Sequence, residues 1–566
     1  MSVRRTRRTL VVALLAALAV LGGLNVSPTE APVAAAAPSA FCLPPLIPCA
    51  PPPEPSTNVT GFAFPNNTVS TPVRGFLQTH NHQMSYLGFG QGPFCGKTFD
   101  PGGISKAMVD CPEHMPFGIP AWFEQLASGQ PILSQHSTEG WPTFRDFPKP
   151  NSATHNQTYY KGLERAWKAG LRVYVNDLVT NRGLCLIYTT TRQPCDEMTG
   201  IRAEAKGARD LEAYVDQQNG GAGKGWYRIV TTPQQARQVI AAGKLAVILG
   251  IETSEPFGCS KWLGQAQCTQ ADIDRGLDEV YALGVRSMFL CHKYDNALCG
   301  VRFDGGTNGV VVNVGNLVTS GQFWQAQTCT GPHHDNTIAA ADAGVLAALL
   351  ANARNIIQPV TLPIYPAAPH CNINGLTSLG EYALRGMMSR GMIVEVDHMS
   401  AKAADSTLDI LEAANYSGVI SSHDWMDQGY YPRVLQLGGL ITPIAEAHGH
   451  TIDVWRRTNA AAAPNRIAGF GFGLDQNGLH LSLPAPGQSP AISYPFTSYD
   501  GAATLSKQVW GQRTWDFNTD GLAQEGMTPD WLQAVRQEAG ADQARFVEDM
   551  TNGAEAYLRM WTRVSH

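Results

Sequence analysis

Thr79-His80-Asn81-His82 places two imidazoles two residues apart at the end of an apolar run, Val73 to Leu77. Side chains alternate faces along a strand, so positions 80 and 82 point the same way and can share one divalent ion. Other residues able to ligate a metal or move protons stand at the ends of later apolar runs: Glu252, His292, His398, His423 and Asp475. Four of these histidines with a Glu and an Asp suit a pair of zinc-like ions, and a carboxylate between two ions bridges them, the role that falls to Glu252. Serine or cysteine chemistry is disfavoured. The chain has no Gly-x-Ser-x-Gly turn, and its twelve cysteines divide into local pairs.

Positioning such residues takes parallel strands. Apolar runs at Gly75–Thr79, Leu171–Asn176, Leu245–Ile251, Val285–Leu290, Met392–Val396, Gly418–Ser421, Gly439–Pro443 and Ile467–Leu474 read as eight strands buried on both faces. Most follow a helical stretch that ends in glycine. Tyr159–Ala169 stops at Gly170. Pro233–Ala242 begins behind Thr232, and Gln270–Leu283 behind Thr269 with Asp272. Leu379–Arg390 begins with a Ser378/Glu381 capping box. Further helices read at Ala401–Asn415 and Ile452–Thr458, with a short turn before Gly439. The expected fold class is therefore α/β, a (β/α)8 TIM-like barrel with long loops and a C-terminal helical appendage. In such a barrel the strand C-termini carry the chemistry.

The 566 residues, 44% hydrophobic with net charge −6, allow a large core and disfavour nucleic acid as a partner. Arg4, Arg5, Arg7 and Arg8, then Leu10–Leu21 and the small residues Ala34–Ala40, read as a signal peptide over 1–40, Sec or twin-arginine. No other run is long enough to span a bilayer, so a secreted, extracytoplasmic protein without stable membrane insertion is expected. Residues 41–74 form a Pro-rich lead-in, 75–480 the barrel and 481–566 the helical extension. The cysteine spacing favours sequential disulfides, Cys42–Cys49, Cys95–Cys111, Cys185–Cys195, Cys259–Cys268, Cys291–Cys299 and Cys329–Cys371, which would staple the loops at the strand ends. The loop histidines 333, 334, 370, 448, 450 and 480 read as solvated.

Gly250-Ile251-Glu252, Leu290-Cys291-His292-Lys293-Tyr294-Asp295-Asn296, Val394-Glu395-Val396-Asp397-His398, Ser421-Ser422-His423 and Gly471-Phe472-Gly473-Leu474-Asp475-Gln476-Asn477-Gly478 occur in that order. Together with Asn552 to Arg559 they resemble the membrane (renal) dipeptidase family of the amidohydrolase-like metal-dependent hydrolases. The resemblance implies metal ligands at His80, Glu252, His398 and His423, a substrate-contacting His292 and a proton-handling Asp475. Where that family has His-x-Asp, this chain has His80-Asn81-His82, which puts His82 in an anionic ligand's place. Asn296 and Arg433 join His292 as candidate substrate contacts, Arg433 either as a fork for a carboxylate or as a surface salt bridge. The implied activity is cleavage of an amide or peptide-type bond in a small molecule, with two divalent ions, zinc by donor type, acidifying a water to about pKa 7. A lactone, ester or phosphotriester hydrolase, or an inactive binding protein on the same barrel, are the alternatives.

Overall fold

A computed structural model describes residues 53–131, 133–188, 191–338, 363–487 and 491–565. The signal peptide and Cys42–Cys49 lie outside these residues.

Eight strands, β1 (Phe76–His80), β2 (Leu171–Thr180), β3 (Leu245–Thr253), β4 (Val285–Phe289), β5 (Ile393–Glu395), β6 (Val419–Ser421), β7 (Leu440–Ile441) and β8 (Phe472–Gly473), pair in sequence order, all parallel. β8 returns to β1, with Gly473 opposite His80. A parallel bridge between Ile444, just past β7, and Gly473 closes the ring. The (β/α)8 barrel expected from the apolar runs is present. A short strand, Tyr227–Ile229, adds to the N-terminal half of β3.

The outer helices are α1 (Tyr160–Lys168), α2 (Glu197–Gln218), α3 (Pro233–Ala241), α4 (Gln270–Ala282), α5 (Ser378–Ser389), α6 (Ala401–Ala413), α7 (Tyr431–Gln436) and α8 (His450–Ala460). Their starts follow from capping chemistry: Thr232 Oγ1 accepts from Gln235 N at 3.2 Å, and Thr269 and Asp272 form a reciprocal box. At α5 the cap is Thr377, whose Oγ1 accepts from Gly380 N at 3.0 Å, and not Ser378. Thr377 still has extended backbone, whereas Ser378 is the first helical residue. The turn expected before β7 is the helix α7. The 22-residue α2 has no counterpart in the sequence reading.

The C-terminal region holds α9 (Thr528–Glu538), α10 (Gln543–Thr551) and α11 (Gly553–Thr562), but strands as well. Gln508–Trp510 and Arg513–Trp515 form a hairpin. Ala503–Leu505 pairs antiparallel with Val59–Gly61 of the Pro-rich lead-in, so the two ends of the chain share a sheet. α11 lies against the N-terminal end of the barrel, where Gly75 N donates to Thr551 O at 2.8 Å and Ala554 N to Gly75 O at 3.3 Å. Five disulfides form with the expected pairing, from Cys95–Cys111 to Cys329–Cys371, each between a barrel strand's C-terminal end and the next outer helix.

Candidate metal centre

β1 ends at His80, and the chain continues extended through His82, so both rings enter the mouth of the barrel and both are fully buried. Glu252 arrives from β3, His398 from the loop after β5, His423 from the end of β6 and Asp475 from the end of β8. The carboxylate of Glu252 divides between two groups. Its Oε2 lies 3.6 Å from His80 Nε2 and 3.3 Å from His82 Nε2, and Asp475 Oδ1 is 3.6 and 2.9 Å from the same two nitrogens. Its Oε1 lies 3.0 Å from His398 Nε2 and 3.9 Å from His423 Nε2. Two ligand clusters result, His80/His82/Glu252/Asp475 and Glu252/His398/His423.

The electrostatics fit cations. Burial opposes charge on His80 and His82, yet Glu252 and Asp177 hold His80 well above its ordinary pKa, and Asp475 and Glu252 raise His82 to about 9. Despite burial, His80 and His82 keep Asp475 well below the carboxylate range. The carboxylates of this cluster thus demand positive charge between them. His398 is held well below its usual value by burial and by Lys293, leaving a neutral ring with a lone pair. His80 Nε2, His82 Nε2 and Glu252 Oε1 are buried with no hydrogen-bond partner, which divalent ions would supply. The donor set, imidazole with carboxylate, suits zinc-like metals.

The far nitrogens are oriented in turn. Asp177 Oδ2 lies 3.1 Å from His80 Nδ1, the Asp177 carbonyl 2.8 Å from His82 Nδ1, and Asp397 Oδ2 3.2 Å from His423 Nδ1. Such partners fix the tautomer that presents Nε2 to a metal. Asp177 sits inside β2 beside Gly250, and a Cβ at 250 would collide with Asp177 Oδ1, so that glycine makes room for the partner. Sequence reasoning missed Asp177. The detectable signal was a carboxylate within an apolar strand, directly opposite the glycine of Gly250-Ile251-Glu252. His398 and Asp475 have φ of +63° and +51°, uncommon for residues with side chains and frequent at functional sites.

His292 joins the cluster, its Nε2 3.6 Å from Glu252 Oε2, and burial pushes its pKa down to about 3. The other two proposed contacts fail. Asn296 is spent on its own loop: Nδ2 donates to the Ser254 and Leu290 carbonyls, and Oδ1 accepts from Leu298 N and Cys299 N. Arg433 faces outward from α7, where Asp405, Asp409 and Glu412 of α6 hold its guanidinium at 2.6–2.8 Å. Arg302 reaches the site by its backbone, its N–H donating to the His398 carbonyl at 2.7 Å, while its guanidinium donates to the His334 carbonyl at 2.9 Å and to Asn336 Oδ1 at 3.0 Å. With His334, Asp424, Trp425, Glu446 and His450 it lines a cavity of about 470 Å³, and the Trp425 ring is 5.9 Å from that of His398. Several loop histidines are engaged rather than solvated: His450 pairs with Asp424 at 3.1 Å, His333 with Asp427 at 3.0 Å, and His370 is buried, whereas His334 is exposed as expected.

No protein-family profile matches the chain, and no curated protein matches it. Solved structures similar to this chain include an amidohydrolase from Pseudomonas aeruginosa, 13% identical with a TM-score of 0.36, covering 70% of this chain and 90% of that one. A metallo peptidase from Rhodobacter sphaeroides, solved with a phosphinate mimic of the dipeptide L-Ala-D-Ala, is 11% identical with a TM-score of 0.36, covering 65% and 74%. A dipeptidase of metallo peptidase family M19, dipeptidase AC, is 12% identical with a TM-score of 0.36, covering 65% and 75%. An amidohydrolase and two metallo peptidases are thus among the solved structures this chain is similar to.

Proposed function

We propose that the chain is a secreted hydrolase that holds two divalent ions, zinc by donor type, and cleaves an amide or peptide-type bond in a small molecule. The observation that carries this reading is the division of Glu252, one oxygen toward His80 and His82, the other toward His398 and His423. Ions bound there would polarise the scissile carbonyl and acidify the attacking water.

The residues supply the rest. Asp475, held ionised by His80 and His82, is poised to take a proton from the attacking water and return it to the leaving amine. His292, neutral because it is buried, donates a hydrogen bond to a developing oxyanion. Arg302 supplies a positive charge in the adjoining cavity for a substrate carboxylate, and Asp424 and Glu446 supply negative charge for an amino group. Export is supported by the arginine-led apolar N-terminus and by five disulfides in the described residues.

The test is metal analysis of the purified protein, then assays on dipeptides, N-acyl amino acids and lactones before and after stripping with a chelator. About two ions per chain at this centre, and activity that vanishes on stripping and returns with zinc, are expected. Activity that survives complete stripping would overturn the reading. Asp475→Asn should lose turnover by about 10²–10⁴-fold while the ion at His398 and His423 stays bound.

A further inference from the structure

The long connection between β1 and α1 carries a second group of imidazoles. The rings of His114, His136 and His155 lie 5.5, 4.6 and 4.8 Å apart, centroid to centroid. One nitrogen of each lies within 4.8 Å of those of the other two. His114 Nδ1, His136 Nε2 and His155 Nε2 are buried and have no hydrogen-bond partner.

The opposite nitrogens of two rings are committed. His114 Nε2 lies 2.8 Å from the Pro93 carbonyl, and His155 Nδ1 lies 3.0 Å from Glu124 Oε2. Glu124 is itself fixed, accepting from Thr154 N at 2.9 Å and Thr154 Oγ1 at 2.8 Å. Protons on the far nitrogens leave lone pairs on the near ones, the arrangement that second partners give to metal-bound histidines. Burial pushes His114 down to about 3 and His136 down to about 4, so both rings are neutral at neutral pH.

The scaffold around the trio is built to hold it. The Cys95–Cys111 disulfide joins the turn before His114 to the strand segment that pairs with His155. Phe147 stacks on His155 at 4.3 Å. Gly118 has φ +78°, and a Cβ there would strike the His136 ring.

We propose that His114, His136 and His155 form an additional divalent-metal site, independent of the Glu252 centre. Three imidazole nitrogens select zinc, copper or nickel over calcium and magnesium. A tetrahedral ion about 2.0–2.1 Å from each nitrogen would draw them to about 3.3 Å apart. His136 makes most of that adjustment, being the least buried of the three. The ion would clamp three turns of the connection together. One of them continues to Gln157, whose N–H donates to Asn477 Oδ1 at 2.8 Å, two residues beyond Asp475. Occupancy would therefore stiffen the wall beside the proton-handling carboxylate.

Crystals of the full chain grown with zinc, measured at the zinc edge, test this. An anomalous peak about 2.0–2.1 Å from the three nitrogens is expected. In solution, His136→Gln should bind one zinc fewer per chain than the wild type. It should also melt below the wild type with zinc present and together with it after chelation, which a purely structural role would not produce. His398→Ala/His423→Ala should keep the ion at the trio. No peak at the trio, with equal zinc in wild type and His136→Gln, would overturn the site and leave His155–Glu124 as a buried polar pair.

Discussion

The Nε2 atoms of His398 and His423 stand 2.8 Å apart, and both face Glu252 Oε1. Two lone pairs at that separation repel unless a proton or a cation lies between them. Burial and the neighbouring Lys293 keep His398 neutral, and Asp397 beside His423 Nδ1 favours the tautomer with a lone pair at Nε2. A cation held between the two rings would relieve that repulsion and couple its binding to the folded state.

Metal removal should accordingly destabilise the whole barrel. An ion present at about a thousand times its dissociation constant contributes on the order of 4 kcal/mol. Thermal melts followed by circular dichroism should show a drop of several degrees with chelator and recovery on adding zinc. Identical melting curves in both conditions would count against an ion bound between these rings.

Asp177→Asn tests the orientation of His80. Losing the carboxylate 3.1 Å from Nδ1 removes the charge that fixes the ring's tautomer. Such partners typically carry about 10–100-fold in metal affinity or activity. The expected outcome is a loss in that range, measured as zinc affinity by competition with a chromophoric chelator.

The two arginines should behave oppositely. Arg433→Ala should leave kcat and KM unchanged and cost about 1 kcal/mol or less in denaturant unfolding, since its carboxylate partners sit on the outer surface. Arg302→Ala should raise KM for substrates with a carboxylate by about tenfold or more with a smaller effect on kcat. A kinetic defect in the Arg433 variant would reverse this assignment.

Glu525 gives a pH dependence away from the metal ligands' own titration. Burial raises its carboxyl from an ordinary 4.5 to about 8, against weaker opposing bonds from Gln78 and Asn81. Between those values the folded chain keeps a proton that the unfolded chain releases. Its contribution to stability is therefore complete below about pH 4.5, falls as pH rises and is lost above about 8. Glu525→Gln should remove that slope. The variant should gain on the wild type by on the order of 4–5 kcal/mol between pH 4.5 and 8 in urea titrations. Parallel pH profiles would show that Glu525 is ionised in the fold.

The barrel was legible because stretches such as Leu245–Ile251 are uninterrupted apolar runs, buried along their whole length. His80, Glu252, His398, His423 and Asp475 were legible because each ends such a run. Asp177 was not, since β2 continues to Thr180 and a carboxylate inside a strand acquires meaning only beside Gly250 of the neighbouring strand. Arg433 was misplaced because spacing from His423 does not fix the rotation of α7, which turns the guanidinium outward. α2 was missed because Gly200 and Gly207 interrupt its apolar stripe, although both pack closely, against Thr180 and Leu87. The strands of the C-terminal region escaped because one of their partners, Val59–Gly61, lies at the other end of the chain.

The seating of α11 against Gly75 has a consequence for biosynthesis. Tyr557 and Trp561 are each about 1% exposed, so the floor beneath the first strand is laid by residues made after all eight barrel strands. The emerging ring must wait, with its base open, for that plug to arrive. Nascent chains halted before it should expose apolar surface to chaperones and proteases, whatever the state of the catalytic rim.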